Sequence, residues 1–374
     1  MATARKVQTA TGDPAWLVDR YDDVRALLQE RLLGRAHRDP EHASRTSRSA
    51  LFGGPMGVDP VAEAAHSAQR RRRLAPAFSA RRVELMRARI RELASGLVDD
   101  MVPAGPSADL HEAVAFPLPC LVICELLGVP YADREAFRRW ADEAADTVDE
   151  QRSRQGLGAL WSYMHGLAGE KLAHPADDVL SDLVAAAETS DPATEVAALG
   201  AGLLFAGFET TVAAIDRAVL LLTTHPEQWR ALCADPGLLP AAVEETLRAG
   251  WPASLRARTD GGLPRYAAQS LELGEVTVAE GDLVLLGVEA ANHDVDAFDD
   301  PERFDITRSP NPHLTFGHGP RFCQGAALAR AELTEVLTAL ADRAPDLRLA
   351  VPVDELRLVP DRLVSDVVAL PVTW

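Results

Sequence analysis

The sequence predicts a mostly α-helical fold with a small β-rich part, and three stretches of the chain carry this prediction. Apolar residues recur at helical spacing over residues 83–127 and again over residues 132–189. Residues 191–224 form a longer helical stretch whose first half is apolar on every side. Residues 271–288 alternate between apolar and polar side chains, as strands do. We therefore expect helices to form most of the molecule and this last segment to form a small sheet.

Composition argues against several classes of protein. The chain has 374 residues, 47% of them hydrophobic, and a net charge of −18, which disfavours general binding to nucleic acids or to anionic membranes. Its four cysteines are too few for a disulfide scaffold. Residues 1–16 lack an apolar signal or anchor, and the longest apolar run, residues 196–208, is shorter than the roughly 20 residues of a membrane span. We expect a soluble intracellular protein.

The N-terminal half of the chain predicts mainly helices. A short strand is expected at residues 15–18, followed by an amphipathic helix that carries Val24, Leu27 and Leu28. Residues 35–65 are polar and rich in His, Ser and Gly, which predicts a loop. Further along, Cys120 and Cys124 are four residues apart among apolar neighbours. They are expected to pack on a buried helix face rather than to bind a metal.

The stretch at residues 191–224 carries polar groups in its middle. Asp191 is suited to the N-cap and Pro192 to the first helical position, and a continuous helix here spans about 50 Å at about 1.5 Å per residue. Its central residues are Ala206-Gly207-Phe208-Glu209-Thr210-Thr211. An acid and two hydroxyls are costly in a buried helix unless they have partners or a task. A proton relay is one such task, and a glycine kink beside two back-bonded threonines is the alternative.

A second pair of polar residues follows in a predicted helix. Glu245 and Arg248 are three residues apart, so they share a face and are expected to form an ion pair. This spacing is common in helices by chance, which makes it weak evidence by itself, and the neighbouring Glu244 receives no role. The alternating segment at residues 271–288 is expected to turn at Glu280 and Gly281.

Residues 316–325 are the most informative stretch and read Phe-Gly-His-Gly-Pro-Arg-Phe-Cys-Gln-Gly. Gly317 and Gly319 permit a tight turn, and the periodicity of residues 326–342 predicts a helix just after Cys323. Unpaired amides and the helix dipole are expected to stabilise a thiolate there. Cys323 is not expected to bind zinc, because the sequence has no CxxC pair that would supply further ligands. A catalytic cysteine activated by a nearby histidine would hardly need a loop so rich in glycine. The remaining role for Cys323 is that of a ligand to haem iron, which activates dioxygen. The alternative is a buried cysteine with a purely structural role.

Residues 316–325 resemble the haem-binding signature of the cytochrome P450 family. They match Phe-Gly-x-Gly-x-(His or Arg)-x-Cys-x-Gly at every fixed position, with Arg321 in the basic position. Residues 206–211 are similar to the family's Ala-Gly-x-(Asp or Glu)-Thr-Thr motif, and residues 245–248 to its Glu-x-x-Arg element. The resemblance extends over residues 12–374, with the motifs in the family's order.

The resemblance implies a fold and a cofactor. Residues 1–374 are expected to form a single cytochrome P450 domain, mostly α, with a triangular-prism helical part and a small β-rich lobe. The helix and strand that usually precede residue 12 are missing in this sequence, so we expect a shortened N-terminus. Haem b (iron protoporphyrin IX) is expected between the buried helix and the helix after Cys323.

The resemblance also implies roles for individual residues. Cys323 is the expected iron ligand, Glu209 and Thr210 the expected proton relay, and Glu245 with Arg248 a structural brace. The expected haem surroundings are Phe316, Gly317, His318, Arg321, Gly325, Ala206 and Gly207, with Gly207 leaving room for a diatomic ligand. The candidate partners of the haem propionates are His66, Arg70, Arg71, Arg256 and Arg258. The register of the first three is open, and residues 70–73 could equally be a solvated helix face.

The resemblance finally implies a function. We expect a monooxygenase that inserts one oxygen atom of dioxygen into a small organic substrate, such as a secondary metabolite, by hydroxylation or epoxidation. Electrons are expected from NAD(P)H through a ferredoxin reductase and a ferredoxin that docks near residues 70–73 and Arg321. The enzyme is expected to be a cytoplasmic monomer without nucleic-acid or membrane partners. Two alternatives stay open: a haem-thiolate enzyme that couples substrates oxidatively, and a non-catalytic docking module.

Overall fold

The computed structural model describes residues 4–51, 56–252, 254–255 and 261–374, and helices dominate this part of the chain, as predicted. The α-helices are α1 (Tyr21–Leu27), α2 (Pro60–Leu74), α3 (Ala80–Met101), α4 (Pro117–Leu127), α5 (Arg134–Ala144), α6 (Glu150–Ala173), α7 (Val179–Ala185), α8 (Pro192–Thr224), α9 (Pro226–Ala234), α10 (Leu239–Ala249), α11 (Val288–Ala291) and α12 (Ala326–Arg343). A turn of π-helix, His111–Ala115, precedes α4. The strands are β1 (Arg5–Gln8), β2 (Pro14–Val18), β3 (Leu33–Gly34), β4 (Ser107–Asp109), β5 (Leu263–Ala267), β6 (Leu271–Leu273), β7 (Val276–Val278), β8 (Leu283–Leu286), β9 (Arg348–Leu349) and β10 (Pro371–Thr373).

The strands form three small sheets. The largest has the order β1-β2-β8-β5-β3, in which only the contact between β2 and β8 is parallel, while β4-β10-β9 and the hairpin β6-β7 form the other two. The strand predicted at residues 15–18 lies within β2, and the predicted turn at Glu280 and Gly281 is present, with Gly281 in the left-handed region at φ +85°. The predicted sheet segment is therefore confirmed. It contributes β8 to the main sheet and forms a hairpin of its own.

The loop predicted for residues 35–65 is confirmed only in part, because α2 begins at Pro60. Proline suits the first turn of a helix, where its missing N–H is not needed, and Glu63 adds a favourable acidic charge to that turn. The run of polar and small residues hides this start, because it carries no apolar period that would mark a helix.

Helix α8 is the centre of the apolar core, and the predicted start of this helix is confirmed. The Asp191 side chain accepts a hydrogen bond of 3.2 Å from the Thr194 amide, and Pro192 occupies the first turn. The 33-residue helix is unbroken and packs against α4, α6, α10 and α12. Length and composition alone would let α8 cross a membrane, but 61% of its most apolar segment is buried inside the protein.

One face of α8 is open although most of the helix is buried. Beyond the first turn of the helix, the exposed residues recur every fourth position, which places them in a single row along the helix, and they are Ala198, Gly202, Ala206 and Thr210. A methyl group placed on Gly202 would meet no atom within 4 Å. A row of small residues with free space beside it, in the middle of the core, marks an internal surface that can receive a large flat ligand.

Candidate active site

The loop before α12 presents Cys323 through a tight turn. Gly317 and Gly319 have φ values of +72° and +66°, in the left-handed region that glycine adopts at low cost. The Cys323 amide donates to the Phe316 carbonyl over 2.8 Å and closes the turn. Helix α12 begins at Ala326, as predicted, so the cysteine lies just before a helix N-terminus. Cys323 is accessible in this position.

The electrostatic surroundings of Cys323 differ from the prediction in their net effect. The amides of Gly325 and Ala326 and the guanidinium groups of Arg71 and Arg330 all favour the thiolate. Burial outweighs them, so the pKa of the Cys323 thiol is raised. The predicted stabilisation of the thiolate by the amides at the helix terminus is therefore present, but partial burial of the thiol outweighs it in the net pKa. A cationic ligand is what this sulfur needs to ionise fully.

The two threonines of the α8 motif turn to different sides of the helix. Thr210 lies in the exposed row and donates its hydroxyl to the Ala206 carbonyl over 2.7 Å, whereas the buried Thr211 donates to the Gly207 carbonyl over 3.1 Å. The room expected beside Gly207 is occupied: a methyl group there would come within 2.8 Å of the Ile123 side chain. Gly207 therefore permits close packing against α4, and the open space lies beside Ala206 and Thr210.

Glu209 faces a cavity of about 230 Å³ between α8, α5 and the C-terminal segment. Burial and the nearby charge of Asp142 raise the pKa of its carboxyl to about 7, and Arg362 and Arg138 oppose that shift only partly. Arg362 donates to the Asp142 carbonyl at the same place. Such a carboxyl can both hold and release a proton near neutral pH. A pKa in this range is compatible with the role predicted for Glu209.

A partly buried basic cluster adjoins the Cys323 loop. The pKa of Arg265, on β5, is lowered to about 10, first by burial and then by the charges of Arg321 and Arg35. Burial and the charge of Arg70 lower the pKa of Arg35 as well. Glu63 faces this cluster and accepts a hydrogen bond of 3.1 Å from Arg321. Several guanidinium groups converge here on one carboxylate, which is how a protein prepares a site for further anionic groups.

Arg265 was missed by the sequence analysis. Counting ten residues from Arg248 selected Arg258, with Arg256 as its rival, and both lie outside the described residues. A usable signal was present, because an arginine in a strand that is otherwise apolar must be paired or functional when that strand is buried. The sequence alone does not tell that β5 is an interior strand of the sheet.

The basic residues of α2 take different positions. Arg71 contributes to the field at Cys323, and its carbonyl accepts a hydrogen bond of 3.0 Å from the Gln324 side chain. Arg70 is exposed, and its charge acts on Arg35. His66, one turn earlier, is exposed. The arginines at 70 and 71 thus both border the site, and Arg71 lies on the cysteine side.

The remaining signature residues shape the loop. His318 is half-buried between the two glycines of the turn. The Arg330 guanidinium group stacks over the Phe316 ring, with its central carbon 4.5 Å from the centre of the ring. A methyl group on Gly325 would have the Phe78 ring and the Cys323 sulfur as its nearest neighbours, at 3.9 and 4.0 Å. The surface around the sulfur is therefore lined by rings and by a residue without a side chain.

The predicted ion pair between Glu245 and Arg248 is present and fully buried. The two side chains form two hydrogen bonds of 2.8 and 2.9 Å. Arg248 also donates to the carbonyls of Asn292 and Pro301, both over 2.9 Å, and Glu245 accepts from the Asn311 amide over 3.0 Å. The pair therefore holds the extended segment before the Cys323 loop against α10, which is a structural task.

Glu244, to which the sequence analysis gave no role, connects α10 to α12. It receives hydrogen bonds of 2.6 and 2.7 Å from Arg330, and His313 lies 3.1 Å away. Burial alone would raise the pKa of Glu244, but Arg330 and His313 hold it at about 2. Since Arg330 also stacks on Phe316, this carboxylate fixes the position of the signature loop.

Comparisons with known proteins agree with this geometry. The family model of cytochrome P450 matches residues 236–343. Pentalenolactone synthase of Streptomyces exfoliatus is 40% identical over 99% of this chain and 92% of its own length. Mycinamicin IV hydroxylase/epoxidase of Micromonospora griseorubida is also 40% identical, over 99% of this chain and 92% of its own.

Solved structures show the same architecture over nearly the whole chain. Substrate-free PimD, a cytochrome P450 described as the epoxidase of the polyene macrolide pimaricin, matches with a TM-score of 0.88 and 38% identity, covering 100% of this chain and 93% of its own. SgvP, described as a putative thioether synthase, matches with a TM-score of 0.88 and 37% identity, covering 99% of this chain and 93% of its own.

Proposed function

This chain belongs to the cytochrome P450 family and is a haem-thiolate monooxygenase, and we propose that Cys323 holds its haem iron while Thr210 and Glu209 manage protons for the reaction. The observation that carries this proposal is the accessible Cys323 sulfur in a glycine turn at the start of α12. Redox partners that deliver electrons and a small organic substrate follow from the family.

The residues of this chain fit haem b. The sulfur is the single soft donor of the loop, and the row of small residues on α8 leaves space for a flat ring. Arg265 and Arg321 would offer partly buried positive charge to the propionate groups, with Arg70 and Arg71 at the border of the same region. Cys323 would hold the iron as a thiolate, with the positive charge of the metal offsetting the burial that raises the pKa of the thiol.

The haem supplies the redox chemistry that inserts one atom of dioxygen into the substrate. The protein's part is to keep bulk water out and to deliver protons. Thr210 presents its hydroxyl on the open face of α8 and can pass on a proton while it accepts another. Glu209, with a pKa of about 7, can return a proton to the Thr210 hydroxyl and then take up another proton from the cavity that Glu209 lines.

We propose that the substrate is a secondary metabolite and, within that class, a macrolide-like ring compound. Mycinamicin IV hydroxylase/epoxidase and the pimaricin epoxidase PimD are among the relatives, and the reaction proposed for this chain is likewise hydroxylation or epoxidation. Oxidative coupling is the second candidate, because SgvP is described as a thioether synthase. Incubation with mycinamicin IV under labelled dioxygen separates the two, since only oxygen insertion places the label in the product.

Further properties belong to the same proposal. A ferredoxin, reduced by NAD(P)H through its reductase, is proposed to dock at residues 70–73 and Arg321, because these are positive charges on a protein of net charge −18. We propose a cytoplasmic monomer with one domain over residues 1–374. The buried state of α8 and the acidic surface support a protein without membrane or nucleic-acid partners.

The decisive experiment is an optical spectrum of the reduced protein with carbon monoxide, for the wild type, Cys323→Ala and Cys233→Ala. The wild type and Cys233→Ala are expected to show the strongly red-shifted Soret band of a thiolate-ligated haem, and Cys323→Ala to lose it. Cys233 is the matched control because it is a half-buried cysteine on α9, away from the loop. An unchanged band in Cys323→Ala would refute the assignment of the ligand.

A further inference from the structure

Behind Glu209 lies a cluster of three ionisable side chains that no motif of the sequence marks. His111 begins the π-helical turn, Asp216 lies on α8 and Asp366 belongs to the C-terminal segment. The His111 Nδ1 atom is 2.7 Å from Asp216 Oδ2, and one ligand-type atom from each residue lies within 4.8 Å of the other two. We call these three residues the proton cluster.

Asp216 and Asp366 are placed to share a proton. Asp216 is completely buried, and its Oδ1 atom has no hydrogen-bond partner among them. The neighbouring carboxyl of Asp366 already accepts from the Val367 amide over 2.9 Å. Two carboxyl groups whose oxygens lie within 4.8 Å of each other, one of them completely buried, disfavour the state in which both are ionised. A shared proton between Asp216 and Asp366 satisfies the free oxygen.

The electrostatics of the cluster agree with this geometry. Burial and the charge of Asp216 raise the pKa of Asp366 to about 8. Burial alone would lower the pKa of His111, but the hydrogen bond and charge of Asp216 raise it to about 9. Asp109 and Glu112 are further charges that act on the cluster, and the buried Arg217 interacts with Asp216 and Asp366 as well as with Glu289 outside the cluster.

The cluster and Glu209 share one cavity. His111, Asp366 and Glu209 all line the space of about 230 Å³ already described, together with the charged residues Arg138, Asp142 and Arg362. At about 30 Å³ per molecule in the liquid, that space holds several waters. Val368, at the rim, is 58% exposed, so the cavity reaches solvent on the side of the C-terminal segment. Water in this space can connect the three titratable groups.

A metal ion is the other occupant that one histidine and two carboxylates suggest. Two donors to a tetrahedral zinc, each at about 2.0 Å from it, lie about 3.3 Å apart. The distance between His111 Nδ1 and Asp216 Oδ2 is 2.7 Å, which is that of a hydrogen bond. The geometry thus favours a proton over a metal.

We propose that the proton cluster of His111, Asp216 and Asp366 stores a proton and supplies it to Glu209 through the water of their common cavity. Each transfer breaks the bond between the proton and the cluster and forms an O–H bond on the Glu209 carboxylate, after which a proton from solvent refills the cluster at the Val368 side. The inference rests on the proposed role of Glu209 as the relay acid. It adds three positioning residues that act through Glu209.

The variant Asp366→Asn tests this transfer with little disturbance. The amide imitates the protonated acid, because it can donate to Asp216 and still accept from the Val367 amide, but it cannot give up a proton. Wild-type turnover is expected to depend on the cluster, with a limiting pKa of about 8, and the variant on Glu209 alone, with a pKa of about 7. Oxygen consumption by the ferredoxin-reduced variant should then be about fivefold below the wild type at about pH 8 and equal to it at about pH 6.

A readout without turnover accompanies this measurement. Infrared spectra of the resting holoenzyme at about pH 7 are expected to show a protonated-carboxyl band that is weaker in Asp366→Asn than in the wild type, because the variant lacks the contribution of Asp366. The exposed Asp354→Asn, on the same C-terminal segment, is the control and should change neither the band nor the pH profile. If Asp366→Asn folds poorly, an infrared titration of the wild type still tests the proposal, because part of the carboxyl band should be lost as the pH rises through about 8.

Three results would overturn the proposal: a carboxyl band unchanged by Asp366→Asn, an alkaline limb of the pH profile that does not move, or one equivalent of a metal other than iron per chain. Failure of the proposed function is a different result. It would appear as a carbon monoxide spectrum without the red-shifted band, while the infrared titration would still report on the shared proton.

Discussion

At the scale of the residue, we expect the Thr210 hydroxyl to decide whether turnover forms product or wastes electrons. It is the exposed hydroxyl on the open face of α8, bound to the Ala206 carbonyl, and its buried neighbour Thr211 makes the same type of bond on the other side. We predict that Thr210→Ala lowers the ratio of product to NAD(P)H consumed by about tenfold or more, because proton delivery becomes disordered.

The matched control is Thr211→Ala, which removes an equivalent hydroxyl that does not reach the open face. Its coupling ratio should stay close to that of the wild type. Hydrogen peroxide formation, measured beside product, reports the difference. Equal coupling in both variants would remove Thr210 from the relay.

Arg265 is a candidate site residue that no local sequence pattern predicts. The sequence predicts Cys323, Glu209 and Thr210 as site residues because each of their motifs is contiguous. The role proposed for Arg265 depends on its proximity to Arg321 and Arg35. These residues are distant from it in the chain and come near it only through the tertiary structure. The net pKa direction at Cys323 escaped prediction for the same reason, since desolvation depends on the whole surrounding fold.

Replacement of Arg265 is predicted to have opposite effects with and without haem. Because burial and two neighbouring cations lower its pKa to about 10, this charge is costly in the haem-free protein. Arg265→Met should therefore stabilise the haem-free form, by up to about 3 kcal/mol, and should speed loss of haem from the holoenzyme.

Thermal unfolding of the haem-free protein and transfer of haem to an acceptor protein measure the two effects. Arg154→Met, at an exposed position of α6, should change neither. A variant that loses stability in both forms would show that Arg265 serves only the fold.

At the scale of the element, the contact between α8 and α4 explains Gly207. A methyl group at 207 would approach the end of the Ile123 side chain to 2.8 Å. We predict that Gly207→Ala loses about 1 kcal/mol or more to overpacking, which offsets the better helix propensity of alanine. The double variant Gly207→Ala with Ile123→Val removes the clashing methyl group and should recover part of the loss.

Thermal midpoints of the two single variants and the double variant form the required cycle. The single variant Ile123→Val gives the cost of the lost methyl group alone. Strict additivity of the two changes would contradict direct packing and return Gly207 to a role in ligand access.

The helices themselves were the most predictable elements. The N-cap at Asp191, the length of α8 and the start of α12 follow from local chemistry that the sequence carries in order. The start of α2 did not, because its first turns lack an apolar period. The proton cluster could not be predicted at all, since His111, Asp216 and Asp366 lie in three separate segments and meet only through tertiary packing.

At the scale of the whole molecule, charge is distributed unevenly. The chain carries a net charge of −18, yet four arginines stand together at residues 70–73 beside the Cys323 loop. Arg73 is paired with Glu195, whereas Arg72 is exposed at the surface. An acidic electron donor would be repelled by most of the molecule and attracted by this part of it, which orients the encounter before contact.

We therefore predict that Arg72→Glu slows the first electron transfer from a ferredoxin by about tenfold at low ionic strength and leaves the carbon monoxide spectrum unchanged. Stopped-flow reduction at increasing salt is the measurement, and the difference from the wild type should shrink once the Debye length falls below about 10 Å, near 0.1 M salt. Arg139→Glu, on the exposed face of α5, makes the same change in net charge and should have little effect. If both variants slow reduction equally, net charge rather than a docking surface governs the encounter, and residues 70–73 are the solvated helix face that their composition also allowed.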